Sequence, residues 1–373
     1  MKQIYLDFNA TTPIDPRVAQ AMRDVFKESH GNPSSAHWAG ESARRLLERS
    51  RLQVAAMLGC ESDEIVFTGG GSEANNLALK GLYFAHGSRP AHIITSAIEH
   101  PSIDAPTRFL ERLGARITRI GVDGAGRVDP DDLRRAITRD TMLITLMHAN
   151  NEVGTIQPIE ECARIAREYG VPLHTDAAQS AGKIPTRVDA LGVDLLTIAG
   201  HKLYAPKGVG ALYVRRGVQL EALIHGGGQE SGRRAGTESA LLATGLGSAC
   251  ELGQDLAWTH RARELRDQLG NSLRDRLGDR VNLNGHPEHR LPNTLNMSFS
   301  GYKGAEMLAA LDGIAVSTGS ACHSGDTELS PVLRAMRVPE EIAVGAVRFS
   351  LGRSTTPEEI DETIDRLGTV LKG

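Results

Sequence analysis

The chain has 373 residues, which is long for one compact domain and predicts two. Its 42 basic and 46 acidic side chains give a formal net charge of −4 with no block of like charge, which disfavours nucleic-acid and membrane-surface partners. No apolar run approaches the length of a membrane span. The four cysteines form no CxxC pair, and no signal-peptide stretch is present, so we expect a cytoplasmic protein.

Short β-rich runs alternate with helical stretches from about residue 60 to residue 215. This alternation predicts a largely parallel sheet covered by helices on both faces. Ligands of such folds bind beyond the carboxyl ends of the strands, so we expect the segments that follow the strands to form one site. The runs are EIVFT (64–68), HIITS (92–96), ARITRI (115–120), MLITLMH (142–148), VPLHTD (171–176), DLLTIAG (194–200) and GALYVRR (210–216).

The pattern changes after residue 237. A long helical tract covers residues 241–277, and three short β-like runs follow it. These runs are TLNMSFS, GIAVST and AVRFSLG, and helix-like segments lie between and after them. This part of the sequence predicts a second, smaller α+β domain.

Lys202 follows an apolar run in AGHKLYAPKGVG (199–210). A lone lysine at a strand end is usually a solvated charge, but a desolvated amine at the mouth of a parallel sheet can attack an aldehyde. Pyridoxal phosphate needs such a lysine together with an acidic partner for its ring nitrogen. Asp176, which ends the run in HTDAAQSAGK (174–183), can supply that carboxylate, although a helix N-cap is the simpler interpretation of this residue alone.

Further polar residues stand at other predicted strand ends. In TGGGSEANN (68–76), Gly71 and Ser72 open a helix whose free N–H groups favour a phosphate, although a plain tight turn explains the glycines equally well. His100 can lie over a cofactor ring and move protons, or it can be a structural histidine. Asn151 and Gln179 can donate to the phenolic oxygen of the ring.

Three motifs in the second half of the chain add candidate residues. Thr237 belongs to HGGGQESGRRAGTES (225–239), which has the donors of an anion-binding loop. Arg348 stands among apolar residues and either binds a substrate carboxylate or forms an internal salt bridge. Cys322 lies in the Gly- and Ser-rich stretch STGSACHSGDTELSP (317–331), which predicts an exposed loop and an accessible thiol. Cys60, Cys162 and Cys250 are expected to be structural.

Together these motifs resemble the cysteine desulfurases of the NifS/IscS type, within the class-V aminotransferases. The resemblance runs from YLDFNATTP through GNPSSAH, EHP, NNEVG, HTDAAQS, GHK, RRAGTE and GSAC to VRFSLGRSTTPEEID. It implies the α/β fold of fold type I, aspartate-aminotransferase-like enzymes, with a large pyridoxal-phosphate-binding domain in residues 13–255. Residues 1–12 and 256–373 are then the small domain, which carries the catalytic cysteine loop.

The resemblance also implies the reaction. A homodimer with sites at the subunit interface converts L-cysteine to L-alanine and leaves the sulfur as a persulfide on the enzyme. An iron–sulfur scaffold protein or another acceptor then takes the sulfur. Two alternatives stay open: a selenocysteine lyase or β-eliminating lyase on the same scaffold, and a catalytically silent scaffold or regulatory partner.

The role of each residue follows from its motif in that family. Lys202 bonds covalently to pyridoxal phosphate, His100 stacks on the ring as a catalytic residue, and Asp176 pairs with the ring nitrogen. Cys322 takes the sulfur and, through its persulfide, is a candidate metal ligand. The remaining cofactor contacts are Gly71, Ser72, Asn151, Gln179, His201 and, from the other subunit, Thr237, while Arg348 and Asn151 bind the substrate.

The sequence departs from the family at two positions. Ala199 stands where a serine commonly helps to bind the phosphate, which places cofactor affinity in question. His323 stands where threonine is frequent. Its imidazole can favour the Cys322 thiolate, help to ligate a metal or cluster, or be a solvated loop residue.

Overall fold

The structure is a computed structural model that describes residues 3–87, 90–318 and 329–371. Its strands fall into one large sheet and two small ones. The strands are β1 (Ile4–Tyr5), β2 (Ile65–Thr68), β3 (His92–Ser96), β4 (Arg116–Ile120), β5 (Thr141–Thr145), β6 (Leu173–Asp176), β7 (Leu195–Ala199), β8 (Gly210–Val214), β9 (Val281–Asn284), β10 (Thr294–Phe299), β11 (Ile314–Ala315) and β12 (Ala346–Ser350).

The large sheet has seven strands in the order β2-β8-β7-β6-β5-β3-β4. Each predicted run between residues 64 and 216 overlaps one of these strands. All of them run parallel except β8, which is antiparallel to both of its neighbours. The residues of the inner strands are buried because helices cover both faces, whereas edge strand β4 is only partly buried. The predicted α/β fold is therefore confirmed.

Helices connect the strands and cover the sheets. No described helix combines the length and the apolar character needed to cross a membrane. The helices are α1 (Pro16–Glu28), α2 (Trp38–Leu58), α3 (Gly71–His86), α4 (Pro101–Arg112), α5 (Pro130–Ala136), α6 (Ile159–Glu168), α7 (Val188–Leu191), α8 (Ala240–Gly253), α9 (Trp258–Leu277), α10 (Gly304–Ala310), α11 (Pro331–Ala335), α12 (Glu340–Ala343) and α13 (Pro357–Val370).

The helical tract predicted over residues 241–277 is interrupted. It forms α8 and α9, with a short break between them. In that break the Asp255 carboxylate accepts a hydrogen bond from the Ala257 backbone N–H at 2.9 Å. This local side-chain contact replaces a helical hydrogen bond and ends the continuous helix, which hydrophobic periodicity alone does not reveal.

The small sheets pack with the C-terminal helices. Strands β9, β10 and β12 form an antiparallel sheet, and β1 pairs in parallel with β11. Ile4 and Leu6 belong to the same buried cluster as Leu265 and Phe349. Because the N-terminal strand packs with the last third of the chain, we propose that residues 1–12 and 256–373 form one domain and residues 13–255 the other.

Glu230 forms a buried ion pair against the edge of the large sheet. Its carboxylate accepts hydrogen bonds from Arg51 Nη1 and Nη2, both at 2.7 Å, and from the Phe67 backbone N–H at 2.9 Å. Glu230 is 5% exposed and has a left-handed φ of 51°. The ion pair therefore holds a loop in a conformation that is unfavourable for a residue with a side chain.

We expect Glu230→Ala to lower the free energy of unfolding by about 3 kcal/mol, because it leaves the Arg51 guanidinium buried without its carboxylate. Urea denaturation followed by circular dichroism measures this change. The matched control is Glu41→Ala, since the Glu41–Arg45 pair is exposed and contributes little. Equal denaturation midpoints for the two variants would contradict the prediction.

Candidate active site

A cavity of about 720 Å³ lies at the carboxyl edge of the large sheet. It is bordered by the segments that follow β2, β3, β5, β6 and β7, where a parallel sheet places its ligand site. The structure brings nearly all of the predicted site residues together there, and their individual roles stay predictions. The cavity is lined by Gly71, Ser72, His100, Asn151, Asp176, Gln179, His201, Lys202 and Arg348.

The other predicted site residues do not line this cavity. Thr237 is exposed on the segment before α8 and does not border the cavity of its own chain. A contribution from a second subunit, as the resemblance implies, is compatible with that position. Cys322 and His323 lie outside the described residues.

Lys202 stands in a single 3-10 turn directly after β7 and is half-buried. Its Nζ donates hydrogen bonds to the carbonyl oxygens of Asn9 and, at 2.8 Å, Ala10. Burial lowers the pKa of the amine to about 8, and the nearby Arg348 cation acts in the same direction, whereas Asp7 and Asp176 oppose it. A substantial fraction of Lys202 is therefore neutral and nucleophilic near physiological pH.

We expect the Lys202 amine in cofactor-free protein to reach half of its maximal reactivity toward an aldehyde at a pH of about 8. An unperturbed lysine titrates near pH ~10.4. Reductive labelling as a function of pH, quantified by mass spectrometry of the Lys202 peptide, gives this midpoint. Arg348→Met should raise it, because that cation disfavours the protonated amine. A wild-type midpoint at the unperturbed value would contradict the prediction.

Asp176 is buried at the end of β6 and its carboxylate is held on both oxygens. Oδ2 accepts a hydrogen bond from Asn75 Nδ2 at 2.7 Å, and Oδ1 accepts one from the Ala178 backbone N–H at 2.9 Å. The second bond resembles the simple capping contact that the sequence allowed. Asn75, which sequence reasoning missed, also donates to Ser102 Oγ at 2.8 Å and so links Asp176 to the start of α4.

His100 is the N-cap of α4, at the mouth of the cavity. Its Nδ1 accepts a hydrogen bond from the Ser102 backbone N–H at 3.1 Å and contacts Ser102 Oγ at 2.7 Å. Because Nδ1 is an acceptor, the neutral ring carries its proton on Nε2. Burial lowers the pKa of His100, Asp176 opposes this effect and Lys202 adds to it. The imidazole is therefore mainly neutral at neutral pH.

Glu99, next to His100, has a buried carboxyl group that sequence reasoning did not identify. Its Oε1 accepts hydrogen bonds from Ser96 Oγ at 2.6 Å and the Met147 backbone N–H at 3.0 Å, while Oε2 has no partner among the described residues. Burial raises the pKa of Glu99 to about 8, and the Asp176 charge adds to the rise. Glu99 is therefore mostly protonated at neutral pH and adds little charge near Asp176.

Arg348 lines the cavity and also forms the internal salt bridge that the sequence left open. Its Nη2 donates to Asp7 Oδ1 at 2.6 Å, and its Nη1 donates to the Asn151 carbonyl oxygen at 2.9 Å. Each of these nitrogens carries a second hydrogen, so the pairing with Asp7 does not exhaust the donors of the guanidinium. Asp7 orients Arg348 and is a further residue that the sequence did not single out.

Asn9 connects several of these residues from beneath the cavity. It is 1% exposed, and its carbonyl oxygen accepts hydrogen bonds from Lys202 Nζ and, at 2.9 Å, from Gln179 Nε2. Its side-chain Oδ1 accepts from Lys183 Nζ at 3.3 Å and from Asn293 Nδ2 at 3.2 Å. Asn9 belongs to the motif YLDFNATTP, but nothing in that pattern names its partners.

At the other end of the cavity, the segments around Gly70 and Gly71 pack closely against the segments around Ala199 and Gly210. A Cβ atom on Gly210 would lie 2.7 Å from the Gly70 carbonyl carbon, and one on Gly71 would lie 3.0 Å from the Ala199 Cβ. Gly70 has a φ of 147°, and α3 begins directly after it with its free N–H groups at the cavity. This glycine cradle at a helix N-terminus is typical of a phosphate site.

His201 borders the same region. Its Nδ1 contacts Thr11 Oγ1 at 3.2 Å. Burial lowers the pKa of His201 to about 4, with Lys202 and Lys207 adding to the effect. The ring is therefore neutral and can offer a hydrogen bond, but not a positive charge, to an anion in the cavity.

The remaining cysteines are not poised for chemistry. Burial raises the pKa of Cys60 and Cys162 to about 12, and it also raises the pKa of Cys250. Their thiols therefore stay protonated and weakly nucleophilic. Among the described residues, no group of three or more His, Cys, Asp or Glu side chains could hold a metal ion.

Comparisons with known proteins agree with this site. The sequence model of the class-V aminotransferase family matches residues 4–363. Cysteine desulfurase IscS of Dictyoglomus turgidum is 49% identical over 100% of this chain and 95% of its own length. A solved NifS-like protein superposes with a TM-score of 0.93 at 37% identity, covering 99% of both chains.

A second solved structure, SspA in complex with cysteine, has a TM-score of 0.85 and 37% identity over 95% of this chain and 100% of its own. The family match and the relatives extend over nearly all of the sequence, including every segment that borders the cavity. The chain therefore belongs to the class-V aminotransferases and, within that family, to the cysteine desulfurases of the NifS/IscS type.

Proposed function

We propose that this protein is a pyridoxal-phosphate-dependent cysteine desulfurase that supplies sulfur for iron–sulfur cluster assembly. The observation that carries the proposal is the convergence of Lys202, Asp176, His100 and Arg348 on one cavity. A reactive amine, a fixed carboxylate, a neutral imidazole and a guanidinium are the groups needed to act on an amino acid held by this cofactor. The relatives named cysteine desulfurase support the choice of L-cysteine as the amino acid.

The residues of the cavity fit pyridoxal phosphate. The glycine cradle at the start of α3 suits the phosphate, since α3 begins there with its free N–H groups and a Cβ atom on Gly70 would meet nothing within 4 Å. At the other end, Asp176 presents a carboxyl group, fixed by Asn75 and the Ala178 backbone N–H, for the ring nitrogen. When bound, the cofactor supplies an electron sink for the carbon atoms of the substrate. Ala199 offers no hydroxyl, so Ser72, His201 and backbone N–H groups must hold the phosphate, joined by Thr237 of a second copy.

Each side chain of the cavity has its own role in holding the cofactor or moving a proton. Lys202, whose pKa is lowered to about 8, supplies the amine that holds the cofactor. His100 takes and returns a proton at Nε2, since Ser102 occupies its Nδ1. Gln179 and Asn151 donate to the ring oxygen. Glu99, which is mostly protonated, adds little charge near Asp176 and so leaves that carboxylate as the partner of the ring nitrogen.

Substrate binding is assigned to Arg348. Its guanidinium is held in place by Asp7 and the Asn151 carbonyl oxygen, and each terminal nitrogen keeps one further N–H for a substrate carboxylate. This preorganisation reduces the entropy lost when the substrate is bound. Asn151 therefore borders both the ring and the substrate.

The sulfur is transferred to Cys322, which lies outside the described residues. In the overall step the C–S bond of L-cysteine breaks, an S–S bond forms with the Cys322 sulfur, and L-alanine and a Cys322 persulfide are the products. The thiol hydrogens of the two reactants end on the alanine methyl group and the persulfide, so no external oxidant or reductant is required. An iron–sulfur scaffold protein or another acceptor then takes the terminal sulfur.

We also propose a homodimer in the cytoplasm. Phe26 on α1 is 79% exposed, and Trp38 on α2 is 77% exposed. Thr237 does not border the cavity of its own chain. Exposed aromatic side chains of this size are typical of a surface that a partner covers. The free thiols of Cys60, Cys162 and Cys250 are compatible with a reducing compartment.

The decisive experiment incubates the purified protein with L-cysteine and a thiol reductant and quantifies alanine and sulfide. A desulfurase forms the two in equal amounts. A β-eliminating lyase gives sulfide with pyruvate and ammonia instead of alanine, and a silent scaffold gives neither product. The same assay with L-selenocysteine, followed by comparison of kcat/KM, separates a selenocysteine lyase from a desulfurase.

A further inference from the structure

Lys183 is a buried lysine that the proposed chemistry does not use. It lies on the turn after β6 and is 3% exposed. Its Nζ donates to Gln179 Oε1 at 2.9 Å and to Asn9 Oδ1 at 3.3 Å. Both partners are carboxamide oxygens, and among the described residues no carboxylate forms a hydrogen bond or ion pair with it.

Burying a lysine in this way is costly, because an ammonium group away from water is normally paired with a carboxylate. Burial lowers the pKa of Lys183 to about 7, and the Lys202 and Arg348 cations add to the effect. A leucine or methionine would fill the same space without this cost. The position of the amine therefore calls for a role beyond packing.

The contact with Lys183 helps to determine which way the Gln179 amide faces. The amine has N–H donors whether or not it is protonated, and Nζ donates to the amide oxygen, so the amide nitrogen lies on the opposite side. There, Nε2 donates one hydrogen to the Asn9 carbonyl oxygen at 2.9 Å. The second hydrogen of Nε2 is left for the cavity that Gln179 lines. The Asn9 carbonyl oxygen, which only accepts, favours the same orientation, so removal of Lys183 should weaken this orientation of the amide.

We propose that Lys183 is a positioning residue: it holds the Gln179 amide so that an N–H faces the cavity and donates to the anionic ring oxygen of pyridoxal phosphate. This inference rests on the proposed function, because it requires that cofactor. Lys183 acts through Gln179 and does not touch the cofactor or the substrate.

Several charged groups surround this array and affect its titration. Lys202 and Arg348 are the cations that act on Lys183. Asp7 pairs with Arg348, and Asp176 ends the strand from which the Lys183 turn departs. Because all four are retained in the variants below, differences among those variants report on Lys183 and Gln179.

The test uses the holoenzyme and the absorbance of the bound cofactor as a function of pH. An N–H donated to the ring oxygen favours its anionic form and so lowers the pH midpoint of the spectral change. Lys183→Met should therefore raise that midpoint by about half a pH unit or more, which is about threefold in proton affinity. Lys183→Gln, which keeps an N–H donor without the charge, should lie closer to the wild type.

The double variant separates positioning from simple charge. In a Gln179→Met background, Lys183→Met should move the midpoint by less than half as much as it does in the wild type, because the amide through which it acts is gone. Equal shifts in the two backgrounds would mean that Lys183 acts by charge alone and would overturn the inference. An unchanged midpoint in Lys183→Met would also overturn it.

Two further measurements keep the outcome interpretable. The thermal midpoint of each variant, measured by circular dichroism, checks that it is folded, and Lys183→Gln replaces Lys183→Met in the cycle if the latter is not. A wild-type protein that acquires no absorbance band with pyridoxal phosphate would overturn the proposed function itself. The absorbance band of the wild type therefore tests the proposed function, and the shifts of the variants test the role of Lys183.

Discussion

Lys202→Ala is expected to abolish covalent attachment of pyridoxal phosphate and to lower the rate of alanine formation at least about a thousandfold, equivalent to about 4 kcal/mol of barrier. Lys202 borders the cavity next to Asp176 and has a lowered pKa, whereas no other lysine combines these features among the described residues. Borohydride reduction of the wild-type holoenzyme, followed by peptide mapping, should place the pyridoxyl group on Lys202.

The control for this experiment is Lys27→Ala, because Lys27 is exposed on α1 and does not line the cavity. Its alanine formation should match that of the wild type. A pyridoxyl label on Lys183 or Lys207 would refute the assignment. The Lys183 amine is enclosed beneath Gln179, and Lys207 borders the cavity but is exposed, so the structure distinguishes the three lysines clearly.

Cys322→Ser should leave cofactor binding intact and lower sulfide and persulfide formation at least about a hundredfold, or about 3 kcal/mol of barrier. A serine hydroxyl cannot accept sulfur from the substrate as a thiolate does. The bound cofactor's absorbance should still change when L-cysteine is added. Gel-shift labelling of persulfides and a sulfide assay measure the two sulfur products.

Cys60→Ser serves as the matched control, since burial keeps the Cys60 thiol protonated. It should form sulfide at the wild-type rate. If Cys322→Ser also released sulfide at that rate, direct elimination from the substrate would be the better description of the chemistry. Loss of the cofactor's absorbance in Cys322→Ser would instead show that this cysteine supports the cavity.

The sequence predicts the position of those site residues that directly follow a hydrophobic run. Asp176 and Lys202 each come at or just beyond the end of a buried strand, so the strand pattern locates them at one edge of the sheet. The same logic placed His100 and Ser72 there. Local pattern and parallel topology together determine these positions.

The supporting residues could not be predicted in this way. Asp7 pairs with Arg348 across 341 positions of sequence, and local patterns contain no information about such distant contacts. In the sequence, Asn75 resembles an ordinary polar residue of a helix. Only the packed structure shows that its side chain donates a hydrogen bond to Asp176. Lys183 looks like a charge at the end of a turn, yet its amine is buried beneath the cavity.

Asn9 has a consequence for the order in which the protein becomes functional. Its backbone N–H donates to Ser350 Oγ at 2.9 Å, 341 positions later, and its carbonyl oxygen receives the Lys202 amine. A ribosome therefore completes the large sheet long before it makes the residue that anchors Asn9. We therefore expect the full set of Asn9 contacts, including its contact with Lys202, to form only after β12 has been synthesised and has packed.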